Sequence, residues 1–352
     1  MAIKMAIIGM GGMSGWHFGS IKEHIKEIEV VAGYDIVKEV REKRATEWGI
    51  KVYETPEELY ADKEIELVLV STTNDVHMEY SIKCMEAGKN VVCEKPVTMT
   101  VAELEEIIKV RDKTGKFFSI HQNRRWDPDY LTIKELLGNK MLRDPYTIKS
   151  SVHGSHRLYG WRGFKPNGGG LLLDWGVHLL DQILDLMPDK VVSTYGHLHH
   201  MPQSEVDDAF TVMLRFESGC TAVVDISTNS YIVEPRWRVS STDGTAIVED
   251  WELKGRIVKQ ADPDEMDWTE TVIYTAAGPT RTMLPRPKET TVEEALPTVP
   301  ERSWIDYYRN VVGVLQGTAE QIVTAEQGLR VMKVIEAIFE SDRTGAAITT
   351  VI

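Results

Sequence analysis

Asp174 and His178 stand four residues apart in GLLLDWGVHLLDQ, residues 170–182. On a helix that spacing puts both side chains on one face. Two readings follow. Asp174, His178, Asp181 and Asp185 keep a 4-3-4 spacing, which is how a solvated stripe looks. Against this, the helix opens on three leucines, holds Trp175 and Gly176, and follows Gly168, Gly169 and Gly170. Consecutive glycines let backbone approach another group closely. An Asp one turn from a His can orient the imidazole and tune its basicity. A neutral His beside a hydroxyl is a candidate general base.

A second group of residues lies in GMGGMSGWH, residues 9–17, where Gly9, Gly11 and Ser14 fit G-x-G-x-x-[G/A/S]. IKMAII before it reads as a buried strand, and HFGSIKEHIKE after it as a helix. Gly9 permits the tight turn, Gly11 lets backbone reach a pyrophosphate, and Ser14 is small enough for close packing. The helix N-terminus supplies free N–H groups and a positive dipole. EVVAGYD then ends a second strand on Asp35, 20–26 residues past these positions, the spacing of a group that holds ribose hydroxyls. This context predicts dinucleotide binding by Gly9, Gly11, Gly12, Met13, Ser14 and Asp35; the alternative is an ordinary glycine turn. No arginine precedes Arg41 near Asp35, so a 2′-phosphate would meet a carboxylate, which favours NAD over NADP.

The elements that must position these groups alternate strand and helix through about residue 123. TPEELY starts a helix with Thr55, Pro56 and Glu58 as a capping box, and Thr100 with Glu103 repeats the device. IELVLVST, KNVVCEKP and KFFSIHQNRR read as further strands. The alternation predicts a doubly wound parallel sheet, whose ligands lie beyond the strands' carboxyl ends. Thr72, Thr73, Asn74, His77, Glu94, Lys95 and Gln122 fall there as candidate cofactor contacts. Lys95 is either a surface lysine or a cation that stabilises an alkoxide-like oxygen as hydride leaves carbon.

After Asn123 the texture changes to period-two strands, with turns at Ser218-Gly219 and Asp243-Gly244 that suggest hairpins. The expected fold is α/β followed by α+β: a doubly wound, dinucleotide-binding domain over 1–123 and a mostly antiparallel sheet within 124–352. Residues 255–300 read as strands joined by a long loop. TAEQGLRVMKVIEAIFES is an amphipathic helix capped by Thr324 and Gln327, with Leu329, Met332, Ile335 and Phe339 as its stripe. This helix, 324–341, is expected to pack back on the first domain.

Composition narrows the function. A net charge of −14 lacks the basic footprint of a nucleic-acid binder. The three cysteines form no C-x-x-C pair or disulfide framework, as expected of a cytoplasmic protein. No apolar run is long enough to span a membrane, and the N-terminus lacks a signal-peptide pattern. No metal is expected; His197, His199 and His200 read as an exposed strand end.

GMGGMSGWH, CEKP, HQNRRWDPDY, GGGLLLDWGVHLLD and IVTAEQGLRVMKVIEAIFES, in this order, resemble the Gfo/Idh/MocA oxidoreductase family over almost the whole chain. The resemblance implies an N-terminal Rossmann domain and an open C-terminal sheet that forms homo-dimers or tetramers. It implies Lys95 as the catalytic lysine, Asp174 and His178 as the D-x-x-x-H pair, and Trp161 and Arg162 near the cofactor. His17 matches a family histidine, whose role is packing or catalysis. Ser14, Thr73 and Trp175 depart from the usual pattern; Trp175 either narrows the pocket or stacks on a sugar ring. The activity implied is hydride transfer between NAD and a secondary alcohol of a sugar, glycoside or cyclitol. Arg124, His153, His156, Arg157 and Tyr159 are candidate substrate contacts, together with Lys95, Asp174 and His178. Alternatives are glycoside 3-oxidation preceding glycoside cleavage, with residues 153–161 suited to a bulky aglycone, and a non-catalytic cofactor-binding regulator.

Overall fold

The computed structural model describes residues 2–262, 264, 274–279 and 290–352. The chain starts with β1 (Ile3–Ile8), α1 (Gly12–His24), β2 (Ile28–Tyr34), α2 (Lys38–Trp48), β3 (Lys51–Val52) and α3 (Pro56–Ala61). It continues through β4 (Leu67–Val70), α4 (His77–Glu86), β5 (Asn90–Cys93), α5 (Val101–Thr114) and β6 (Phe118–Ile120). These six strands pair in parallel in the order β3-β2-β1-β4-β5-β6. Every residue of β4 is buried, as are Met5 to Ile8 of β1, because helices cover both faces of such a sheet. Thr55 and Thr100 complete their capping boxes. The winding direction reverses between β1 and β4, which opens a crevice at their carboxyl ends.

The second part begins with α6 (Pro128–Gly138) and β7 (Pro145–His153), then α7 (Val177–Leu186) and β8 (Val191–His199). β9 (Ala209–Phe216), β10 (Thr221–Ser227), β11 (Trp237–Ser241), β12 (Gly244–Val248) and β13 (Gly255–Gln260) follow. The last elements are β14 (Tyr274–Thr275), β15 (Gly278–Pro279), β16 (Thr291–Glu294), α8 (Asp306–Leu315), α9 (Ala325–Thr344) and β17 (Ile348–Thr349). Among the described residues nine strands form one sheet, β16-β13-β12-β11-β7-β10-β9-β8-β17. It is mostly antiparallel, with β7 and β10 a parallel pair. The hairpins at Ser218-Gly219 and Asp243-Gly244 form as their turn residues predict. Strict alternation buries Val212, Leu214 and Phe216 of β9 and leaves Thr211, Met213 and Arg215 on the outer face.

α9 differs from its expected stripe. Val331, Val334, Ile335 and Ile338 are buried whereas Phe339 is 38% exposed. The helix packs on elements of both sheets at once, so its apolar face is broader than a single i, i+3/i+4 row. On one side a Cβ at Gly196 of β8 would lie 2.7 Å from Ile338. On the other, a Cβ at Gly328 would lie 2.1 Å from Ile120 of β6. Within 255–300, β13 pairs with β16; much of the remaining stretch lies outside the described residues. Among the described residues no helix is long and apolar enough to cross a membrane.

Candidate active site

The glycine loop makes a bed at the crevice. Gly9 takes φ +87°, and a Cβ there would lie 2.7 Å from the Ser71 carbonyl oxygen, so this turn needs glycine. Among the described residues, nothing beyond the adjacent chain lies within 4 Å of a Cβ built on Gly11 or Gly12, which leaves the α1 N-terminus open. Ser14 is buried and its Oγ donates to the Gly11 carbonyl at 2.8 Å. Asp35 is aimed by two backbone donors, Met10 N at 2.7 Å and Val37 N at 2.9 Å. A groove of about 500 Å³ runs past Gly11, Met13, Asp35, Thr72, Thr73 and Asn74 to Trp161 and Arg162. Open N–H groups at one point and a carboxylate at the end of β2 fit a dinucleotide's pyrophosphate and ribose. The sequence placed no cation here. α2 brings two: Arg44 Nε donates to Met10 O at 3.2 Å, and Arg41 Nη1 to Asp35 O at 2.6 Å.

The groove opens into a cleft of about 440 Å³ lined by Trp16, Lys95, Arg124, Asp174, Trp175 and His178. Glu94, Lys95 and Arg162 border both cavities. The glycine run explains how α7's approach is packed. A Cβ on Gly169 would lie 2.4 Å from Arg162 O, and one on Gly170, at φ +114°, 2.2 Å from Asp207 Oδ1. Asp207 then accepts from Leu172 N at 2.6 Å and starts the next turn. Burial pushes the Asp207 carboxyl up to about 6. That next turn, Leu172–Gly176, is a π-helix. Such wide turns recur at functional sites.

Asp174 therefore has partners that the spacing did not suggest. Lys95 Nζ donates to Asp174 Oδ1 at 3.0 Å and to its carbonyl at 2.9 Å, and Arg162 Nε donates to the same Oδ1 at 3.1 Å. Burial works against the Asp174 charge, but Lys95 and Arg162 hold its carboxyl below the usual range. Asp174 orients Lys95, while Gln122 orients His178: the Gln122 Oε1 lies 3.0 Å from His178 Nδ1. The Gln122 amide nitrogen faces Val177 O at 3.5 Å, so its oxygen accepts and His178 carries its proton on Nδ1. Nε2 is left as the free base of a ring that lines the cleft. Burial first, then Lys95 and Arg124, drive the His178 imidazolium well below the usual histidine range.

Two family models match this chain: the GFO/IDH/MocA oxidoreductase family's NAD-binding Rossmann fold over residues 3–122, and the GFO/IDH/MocA C-terminal domain over 130–247. The chain belongs to the Gfo/Idh/MocA oxidoreductase family. It is 30% identical to the scyllo-inositol 2-dehydrogenase (NADP(+)) IolW of Bacillus subtilis, over 97% of this chain and 94% of that protein. It is 27% identical to the myo-inositol 2-dehydrogenase of Thermotoga maritima, over 64% of this chain and 68% of that one. An NAD-binding protein from Listeria innocua superimposes with a TM-score of 0.87 at 40% identity, covering 99% of this chain and 97% of the other. The chain is thus a dehydrogenase of the Gfo/Idh/MocA family with an NAD(P)-binding Rossmann fold.

In this Gfo/Idh/MocA chain several residues lie away from where the sequence put them. His77 is fully buried under the groove, its ring nitrogens on Pro96 O at 2.9 Å and Thr72 O at 3.2 Å. It ties the ends of β4 and β5 together and does not face the groove. Gln122 serves His178, not the groove. His153 is held in the sheet by Asp225 at 3.2 Å. His156, Arg157 and Tyr159 are exposed, Tyr159 to 86%. None of these four lines the cleft, because the chain leaves β7 over the surface and returns only at Trp161. Asp181 and Asp185 are not a solvated stripe: both pair with the buried Arg125.

Other residues were missed. Trp16, Asn123 and His121 line the cleft. Arg124 lies 4.1 Å over the Trp175 ring, so one face of that indole is already stacked. Trp251 stands 6.3 Å from Trp175 and carries Arg236 on its own ring. No local spacing announces Trp251, which arrives from the β12–β13 turn. His17, Glu94 and His121 form a buried cluster. The Glu94 Oε1 lies 2.7 Å from His17 Nε2 and 2.9 Å from His121 Nδ1. Those are hydrogen-bond distances, too short for donors that share a cation at about 2.0–2.2 Å.

Proposed function

We propose that this chain is an NAD-dependent dehydrogenase of a secondary alcohol on a sugar, glycoside or cyclitol. The observation that carries this reading is one cleft, continuous with the dinucleotide groove, lined by both Lys95 and His178. His178 Nε2 accepts the hydroxyl proton. Lys95 donates to the same oxygen and stabilises the charge that develops on it. Asp174, itself held by Arg162, keeps the ammonium in place, so little reorganisation is needed. A bound dinucleotide supplies the hydride acceptor. Arg124 and Trp175 offer a polar edge and an aromatic wall for a polyol ring. Both Lys95 and His178 being present weighs against a non-catalytic regulator. The glycoside-cleaving alternative drew on residues 153–161, most of which lie away from the cleft. Dinucleotide reduction followed at 340 nm with inositols, sugars and glycosides tests the reading; no turnover on any of them overturns it.

Asp35 supports NAD; Arg41 and Arg44 are the features that favour NADP. We expect kcat/KM to be higher with NAD, by at least about 10-fold if Asp35 holds both ribose hydroxyls. The ratio of the two values on one substrate reads this directly.

The pH dependence follows from His178. Its pKa is lowered, so the base form persists below the usual histidine range. kcat/KM for alcohol oxidation should show no acid limb near pH 6.5. A titration centred there would contradict the assignment of His178 as the base.

For assembly, we propose a homo-oligomer through the outer face of the large sheet. Tyr195 and Met213, directly paired across β8 and β9, are 44% and 49% exposed there.

A further inference from the structure

The cluster behind Lys95 is joined by a chain of short hydrogen bonds. The Tyr308 hydroxyl is fully buried and lies 2.8 Å from His17 Nδ1. With His17 Nδ1 as its acceptor, Tyr308 donates, and the His17 proton sits on Nε2. That N–H points at Glu94 Oε1. His121 gives its Nδ1 proton to the same oxygen, and its Nε2 has no hydrogen-bond partner among the described residues. The other carboxylate oxygen, Oε2, accepts from Lys95 N at 3.0 Å. Glu94 thus receives three N–H groups, from His17, His121 and the Lys95 backbone. Trp304 and Tyr307 close the far side, with Trp304 stacked on Trp16 at 3.6 Å.

This arrangement keeps Glu94 ionised. Burial opposes its charge, but His121 and His17 hold the carboxyl well below the usual range. Burial pushes the His121 imidazolium down, which keeps that ring neutral. Glu94 is only 6% exposed, yet it borders both the groove and the cleft. A dinucleotide with its pyrophosphate on the α1 N-terminus and one ribose on Asp35 directs its other end to this junction. That end is the nicotinamide, which is cationic when oxidised and neutral when reduced.

We propose that the Tyr308–His17–Glu94–His121 relay holds a fixed carboxylate at this junction and so makes the site prefer the oxidised dinucleotide. Glu94 acts through its charge on the ring; His17, His121 and Tyr308 are positioning residues. A negative charge within several ångströms of a ring of opposite charge, in a site of low effective dielectric, changes affinity by roughly 10-fold or more. The reduced ring gains nothing from it.

This inference rests on the dinucleotide reading of the groove, and the experiment separates the two. Dissociation constants are measured by titration calorimetry for NAD⁺ and NADH, or for NADP⁺ and NADPH if the wild type binds that pair more tightly. Glu94→Gln should weaken the oxidised form by roughly 10-fold and leave the reduced form within about 2-fold. Tyr308→Phe, which removes only a buried hydroxyl that lines neither cavity, should move the same ratio in the same direction by less. The second variant decides the matter if the first fails to fold. Equal weakening of both forms, or no change in the ratio, overturns the inference and leaves the dinucleotide reading standing. A wild type that binds neither pair overturns both.

Discussion

His178→Ala and Lys95→Met should each lower kcat by about 10²-fold or more, with the dissociation constant for the dinucleotide changed only a few-fold. Loss of a positioned base costs about 10²–10⁴, and loss of a donor to a developing oxyanion about 10²–10³. The two sides of the cleft hold these groups differently. His178 is fixed by Gln122, so its removal leaves the Lys95–Asp174 pair intact. Lys95→Met leaves Asp174 with Arg162 as its remaining cation. The adenosine half of the groove, at Asp35 and Gly11, touches neither side chain. Steady-state turnover at 340 nm and a dinucleotide titration on the same preparations check both halves of the expectation. Near-normal turnover in either variant would remove that residue from the chemistry.

Arg125→Met should cost about 3–5 kcal/mol of stability, read as a fall in the urea midpoint. The Arg125 guanidinium holds Asp181 with two bonds, at 2.7 and 2.6 Å, and Asp185 with a third at 3.1 Å. It also reaches Gln327 on α9 and the Ile322 carbonyl. Asp181 is 1% exposed. Burial raises its pKa even with Arg125 in place. Without the guanidinium an unpaired carboxylate would stay buried, and its folded pKa would rise further. A raised folded pKa means that the folded state binds the proton more tightly. Stability is then fullest below the unfolded carboxylate value and falls as pH rises towards the folded one. The Arg125→Met penalty should therefore be smaller at pH 4.5 than at pH 8. Adding Asp181→Asn should recover part of the loss at pH 8. A penalty independent of pH would show that packing, not the buried charge, dominates.

The sheets were legible because their signals are local. Strand runs, capping threonines and turn glycines each act within a few residues, and Thr55, Thr100 and Thr324 cap as read. The open bed at Gly11 and Gly12 was legible for the same reason. Partner choice was not. Spacing put Asp174 and His178 on one face, but it carried no sign that Lys95, 79 positions away, would take the carboxylate. Nor could it show that Gln122 would take the imidazole, or that Arg125 would turn Asp181 and Asp185 from a wet stripe into a buried network. A π turn and three glycines set those distances, and the close contacts that demand them come from Met99 and Asn74 at Gly168, Arg162 at Gly169 and Asp207 at Gly170. His156, Arg157 and Tyr159 were misplaced because proximity along the chain says nothing about which way a surface segment turns.

The meeting of α9 with β6 has a consequence for how this molecule can be dissected. Gly328 presses on Ile120, the Tyr307 hydroxyl donates to Ser119, and Ser119 in turn donates to Val323 O. The last quarter of the polypeptide thus roofs the edge strand of the nucleotide half. A fragment cut near residue 123 would bare that edge to water and to other strands. The nucleotide half is not a portable module, and swapping it between relatives requires carrying its terminal helices along.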